Sequence, residues 1–268
     1  MQFTENNASG VVYMTAPGIC ARHGFITRFG GVSRGIYESL NLSLTVGDAE
    51  ADVLENYRRL RRAFSLPADG GGIVFSHQVH GNAVRVCTGA DEHKLMTDVP
   101  YDADGLITNE RGLCLMVFTA DCTPILLSDE RRHAVGAVHS GWRGTALDIA
   151  GEAVRKMISE YGCDAADIRA AIGPCISKCC FETSGDVPAA MRNVLGQRAE
   201  EFISPAETEN KFYVDLKGVN RALLINAGLS PENIFVSDEC TVCRCDKYWS
   251  HRATNGKRGS QASLIICT

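Results

Sequence analysis

Three short polar segments carry the side chains best suited to chemistry in this 268-residue chain. SHQVHGN at 76–82 holds His77 and His80, TADCTP at 119–124 holds Asp121 and Cys122, and VHSGWRGT at 138–145 holds His139 and Arg143. Each sits where an apolar run gives way to a turn, a common position for functional groups on a rigid scaffold. If the three ends converge, His80, Cys122 and His139 offer two imidazoles and one thiolate. That is a zinc-type donor set, and three protein ligands leave a fourth position for water or substrate. Spacing alone does not decide the matter, because the ligands come from separate segments. On pattern alone the plainer reading leads: Cys122 as a buried small hydrophobe, and the histidines as turn residues bonded to backbone. His77 competes with His80, although in an extended strand the two would point to opposite faces.

Neighbouring residues extend the set. Asp121 could orient a ligand histidine or act as a base; its plainer reading is an Asx-turn ahead of Pro124. Gly141 and Gly144 at a helix start resemble an anion-binding turn, in which Arg143 would hold phosphate bidentately or else lie solvated. Arg28 in TRFGGVS is a similar candidate, since Gly30 and Gly31 let an anion approach the backbone. The 12 cysteines include two dense segments, CISKCC at 175–180 and CTVCRC at 240–245. The second contains a CxxC, the first does not, and six thiols exceed one zinc. Buried thiols are the leading expectation there; a second metal or a redox pair, should the fold join the segments, is the alternative.

Regular elements must position these groups. Helical periodicity runs through 50–64, with Leu54, Tyr57, Leu60 and Phe64 on one face, and through 145–161. The second helix is expected to start on a Thr145 cap and to bury Leu147, Ala150, Val154, Met157, Ile158 and Tyr161. Weaker helices are expected over 185–195 and 216–227. Strand-like runs occupy 73–75, 83–87, 105–108, 113–118, 124–127, 134–138, 168–172, 234–236 and 264–267. Strands and helices that do not alternate strictly point to an α+β fold rather than a doubly wound sheet. No stretch has linker composition, so one domain over 1–268 is the expectation.

Composition narrows the partners. Lys and Arg number 27 against 32 Asp and Glu, for a net charge of −5. A mildly acidic chain without a basic block is a poor ligand for nucleic acid or anionic membranes. The first residues, MQFTENNASGVVYM, lack the basic and apolar blocks of a secretory leader, and the longest strongly apolar run is too short to span a bilayer. A cytoplasmic protein with a small-molecule ligand is expected, its oligomeric state left open.

Seven stretches taken together resemble the YfiH-like family, also called the laccase-domain or multicopper polyphenol oxidase family. They are GFITRFGGVSRGIYESLNLS, QVHGNAV, DADGLIT, FTADCTPILL, AVGAVHSGWRGT, AIGPCI and SDECTVC…YWSHRATNGKRGSQASLI, and they run from Gly24 to Ile265. The resemblance implies zinc, or copper, held by His80, Cys122 and His139. It implies a single domain with mixed β-sheets flanked by helices, related to a cysteine-hydrolase-like fold. It further implies purine nucleoside phosphorolysis of adenosine, inosine and methylthioadenosine, with adenosine deamination. Asp121, Cys122 and His139 would then be catalytic, and Arg28 and Arg143 would bind phosphate. Two other readings use the same residues: a cysteine hydrolase acting on a peptidoglycan precursor, with Cys122 as nucleophile and His139 as base, and a copper-dependent polyphenol oxidase. For the last, 7 histidines and no HxH pair are too few ligands for a trinuclear copper centre. The tail departs from the family pattern at SHR (250–252) and GKRGS (256–260), which makes His251 either an extra polar group near the site or a surface residue.

Overall fold

The chain opens on a hairpin of β1 (Thr4–Ala8) and β2 (Val11–Thr15). Its two-residue loop, Ser9-Gly10, has both residues at positive φ, 52° and 86°, the backbone twist that a tight hairpin needs. Then follow β3 (His23–Ile26), α1 (Glu50–Ala63), β4 (Ile73–Val74), β5 (Val84–Val86) and β6 (Gly105–Thr108). Next come β7 (Cys114–Thr119), β8 (Thr123–Asp129), β9 (Ala134–Ser140), α2 (Trp142–Ala146), α3 (Ile149–Tyr161) and β10 (Arg169–Ile172). The remainder is β11 (Glu182–Thr183), α4 (Asp186–Leu195), β12 (Ile203–Pro205), β13 (Phe212–Val214), α5 (Leu216–Asn226), β14 (Ile234–Val236), α6 (His251–Thr254) and β15 (Gln261–Ile266). The computed structural model describes residues 2–43, 45–68, 71–92, 95 and 99–268.

Two six-stranded sheets run β1-β2-β3-β15-β7-β4 and β14-β10-β8-β9-β6-β5, and a small one runs β11-β13-β12. Both large sheets are mixed: β4 is parallel to β7, β5 to β6 and β10 to β14, whereas the other pairs are antiparallel. Alternation along the strands shows how they stack. Leu115 and Val117 of β7, Ile265 of β15, Leu126 of β8 and Ala137 of β9 share one core between the sheets. Their neighbours Cys114, Met116 and Leu264 face Val53, Tyr57 and Leu60 of α1. On the far side, Ile125, Leu127 and Val138 face Ala150, Val154 and Met157 of α3. The result is four layers, helix, sheet, sheet, helix. Central strands covered on both faces need apolar side chains at every position, which is why these segments read as continuous apolar runs.

All nine strand-like runs overlap a strand, and the mixed α+β expectation holds. The 145–161 helix does not. It is broken into α2 and α3, and the cap of the longer helix is Asp148, left-handed at φ 54°, whose carboxylate accepts from Gly151 N at 3.1 Å. Thr145 lies inside α2, buried, bonded to the Gly141 carbonyl and to Ser140. The break turns Leu147 outward at 52% exposure, and Ile158 is also exposed, so neither joins the buried stripe.

Candidate metal centre

Pairing of β8 with β9 brings the first two donors together. The register sets Pro124 opposite His139 and Thr123 opposite Ser140, so Cys122, just before β8, stands beside the end of β9. His80 arrives from the turn between β4 and β5. Its Nε2 lies 3.8 Å from Cys122 Sγ, and its ring meets that of His139 edge-on at 4.8 Å. One donor atom from each of His80, Cys122 and His139 lies within 4.8 Å of the others. His139 is buried, Cys122 half-buried and His80 exposed, so the cluster is walled on one side and open on the other.

The backbone here is bent into unusual shapes for the purpose. His80 and Asp121 both have positive φ, 62° and 91°, which non-glycine residues rarely adopt without compensation. For His80 the compensation is Asp104. This fully buried carboxylate accepts from the backbone N–H groups of Val79, His80 and Gly81 at 3.1, 3.0 and 2.7 Å. It also accepts from His139 Nδ1 at 2.7 Å, leaving Nε2 to face the cluster. Gly141 closes the wall: a Cβ there would stand 2.8 Å from His80 Cδ2 and 3.3 Å from Cys122 Sγ.

Charges within the cluster are strongly coupled. Burial works to raise the Cys122 thiol, but the His139 charge and hydrogen bonds from both histidines outweigh it and lower the thiol to about 6. Burial works to lower His139, but the Cys122 charge and the Asp104 hydrogen bond push it up to about 9. Asp104, despite burial, is held below the usual carboxylate range by His139 and the Gly81 and His80 N–H groups. These directions favour a thiolate–imidazolium pair in the metal-free site, with a buried carboxylate behind it.

The other expected residues fall into different places. Asp121 touches neither histidine: its two oxygens accept from Thr241 Oγ1 and from Arg252 N, both at 2.6 Å. The histidine-orienting role belongs to Asp104, because Asp121 faces the tail rather than β9. Arg143 is exposed, stacked over its neighbour Trp142 at 4.4 Å, with no side-chain hydrogen bond among the described residues. The helix it sits in, α2, is only 5 residues long, a much shorter dipole than the expected anion turn supposed. Arg28 spends its guanidinium on the Glu38 carbonyl, at 3.0 and 2.5 Å, and on the Cys245 carbonyl at 2.9 Å, while stacking on Trp249 at 4.1 Å. Those bonds make it a strap between loops. His77 pairs with Asp102 at 2.8 Å outside the cluster, and His251 is an exposed residue of α6.

Sequence reasoning passed over two residues. Asp104 lies in DADG, where an acidic residue leading into a buried apolar strand is itself the signal. Arg258, in the GKRGS stretch, is partly buried; desolvation lowers its pKa, opposed by the charges of Asp121 and Cys122, and its Nε is buried without a partner. The two cysteine-rich segments also differ from expectation. Cys175 and Cys240 are buried, but Cys179, Cys243 and Cys245 are exposed and Cys180 half-buried, because they lie on surface turns beyond β10 and β14.

Comparison with known proteins places this architecture. A family model described as multi-copper polyphenol oxidoreductase laccase matches residues 22–268. The purine nucleoside phosphorylase YlmD of Bacillus subtilis is 35% identical over 245 residues, covering 90% of this chain and 87% of the relative. The purine nucleoside phosphorylase YfiH of Escherichia coli is 34% identical, covering 89% and 92%. The crystal structure of the Bacillus licheniformis hypothetical protein YfiH superimposes with a TM-score of 0.92 at 33% identity over 99% of both chains.

Proposed function

The chain belongs to the multi-copper polyphenol oxidoreductase laccase family, which includes YfiH and YlmD, and from that premise we propose that it is a metal-dependent purine nucleoside phosphorylase acting as one domain over 1–268. The observation that carries the reading is the convergence of His80, Cys122 and His139 beside an open face, in a chain whose relatives bear that enzyme name. Two imidazoles and a thiolate fit zinc, and also copper, and exclude the hard cations that demand oxygen. Among the described residues no further histidine joins the set, so a multi-copper centre lacks its ligands. Bound there, zinc would supply Lewis acidity at its fourth position.

The protein's own groups account for the rest. Asp104 fixes the tautomer and tilt of His139, and its three backbone contacts fix the turn that carries His80. Arg143, exposed and without a side-chain hydrogen bond among the described residues, would bind phosphate, and Arg258, whose buried Nε has no partner and which feels the charges of Asp121 and Cys122, would share that anion or face the departing base. In the reaction a phosphate oxygen bonds to the ribosyl C1′, the bond from C1′ to the purine nitrogen breaks, and the base leaves with the electron pair and takes a proton. Adenosine, inosine and methylthioadenosine are the proposed nucleosides. Deamination of adenosine by water is a proposed side activity of the same centre. No helix among the described residues is long and apolar enough to cross a membrane, and the twelve free thiols support a reducing, cytoplasmic setting.

One observation favours a second reading. Cys122, His139 and Asp104 also have the order of a nucleophile, a base and an orienting acid, which would suit a cysteine hydrolase. Phosphate separates the two. Purified protein given adenosine and phosphate is expected to yield adenine and ribose 1-phosphate. Turnover that is unchanged without phosphate, or absent altogether, overturns the phosphorylase reading. Arg143→Ala should raise the KM for phosphate about ten- to a hundredfold, the loss of one charge-assisted contact of about 1.5–3 kcal/mol.

A further inference from the structure

Four cysteines outside this site, Cys240 buried and the others at or near the surface, come together. Cys179 and Cys180 follow β10 in the turn before β11, and Cys240 and Cys243 follow β14. An isolated bridge between Cys175 and Cys240, with Thr241 N–H donating to the Cys175 carbonyl at 3.1 Å, sets the two segments side by side. The sulfurs of Cys179, Cys180, Cys240 and Cys243 all lie within 4.8 Å of one another. Cys179–Cys180, Cys179–Cys243 and Cys180–Cys243 are 3.6, 3.7 and 3.5 Å apart. A disulfide would need about 2.05 Å. Four thiolates around one zinc at about 2.3 Å each would stand about 3.8 Å apart along the edges of the tetrahedron. The observed spacings match the second geometry. Cys240 and Cys243 form a CxxC pair able to grip one ion from a single turn, and Ser177 N–H points at Cys240 Sγ from 3.3 Å, as amides do at metal-bound thiolates.

We infer that Cys179, Cys180, Cys240 and Cys243 bind one soft divalent cation, zinc in type, as a closed tetrathiolate site separate from His80, Cys122 and His139. Each thiol that binds releases its proton to solvent, and no electrons move. A closed shell has no room for substrate, so the ion acts as a staple. Its reach is functional all the same. Thr241, between two of the ligands, donates to Asp121, and Ile176 N–H donates to the Asp121 carbonyl at 2.9 Å. Arg252 bridges the Cys180 carbonyl at 3.1 Å and the Asp121 carboxylate. The staple therefore holds the wall beside Cys122.

Full-length, reduced, metal-free protein titrated with zinc or cobalt tests this. Two equivalents per chain are expected. Cys179→Ser with Cys243→Ser should lose one of them, and His80→Ala with His139→Ala the other. Thiolate-to-cobalt charge transfer scales with the number of sulfurs, so one equivalent should absorb about four times as strongly as the other. Peptide mapping after alkylation removes any dependence on how the variants fold: zinc should shield Cys179, Cys180, Cys240 and Cys243 in the unaltered chain, leaving Cys20 and Cys245 reactive. Equal labelling of those four with and without zinc, or a disulfide among them in freshly reduced protein, overturns the proposal. Because Cys122 is scored separately, the outcome is independent of the fate of the phosphorylase reading.

Discussion

His80, Cys122 and His139 hang from the ends of paired strands, whereas Cys179, Cys180, Cys240 and Cys243 hang from turns. In the first cluster β8 and β9 fix the spacing of two donors, and one buried carboxylate, Asp104, fixes the third through backbone contacts. In the second, a single isolated bridge and a few amide contacts hold four donors of one kind. A scaffold that already sets the geometry can leave one coordination position empty for chemistry. Donors on turns gain their order from the ion itself, which consumes every position. Open and closed sites thus follow from what carries the ligands, before the identity of the ligands is considered.

Asp104→Asn should divide the clusters most sharply. Removing the charge behind His139 should weaken zinc binding at the first site about 10–100-fold and leave the second unchanged, as read by competition with a chromophoric chelator. Equal weakening of both would erase the distinction. Gly141→Ala should come next: a methyl 2.8 Å from His80 Cδ2 displaces that ring, with an expected tenfold loss of affinity at the same site, about 1.4 kcal/mol.

Titration offers a finer test on metal-free protein. Cys122, lowered to about 6, should protonate as pH falls through that value, so its alkylation rate should climb through pH about 6 and be flat by pH 8. Cys20, with its thiol raised by Glu130 and burial, should still be accelerating there. A Cys122 profile parallel to that of Cys20 would remove the thiolate–imidazolium pair. The smallest effect should come from Asp148→Ala. Loss of the cap of α3 should cost about 1 kcal/mol and lower Tm by about 2–4 °C, with both metal stoichiometries intact.

The strands that build the first cluster were legible because burial on both faces leaves long apolar runs, and the ligands because polar residues interrupt them. Asp104 was not, since a carboxylate ahead of a strand reads as turn chemistry until four donors are seen converging on it. The β1–β2 hairpin was missed because TENNA is an exposed edge strand without apolar alternation, although Ser9-Gly10 is a usable turn signal. The division of the 145–161 segment hides in Asp148, which resembles any polar residue on a helix face until its left-handed φ is known. Strands of two or three residues, such as β11 and β13, leave no periodicity to detect. The meeting of 175–180 with 240–245 depends on contacts more than sixty residues apart in the chain, which no local pattern encodes.

The placement of β15 bears on how the molecule is made. This strand lies between β3 and β7, pairing Leu264 with both Gly24 and Met116. During synthesis the second large sheet can close once Val236 has emerged. The first cannot: β3 and β7 wait with bare edges for a partner about 240 residues downstream of β3, a contact of very high order. A nascent chain long enough to close the second sheet therefore still carries the first one split down the middle until β15 emerges. Unpaired, apolar strand edges are where chains aggregate, so this chain is more open to aggregation before β15 is in place than in the finished fold.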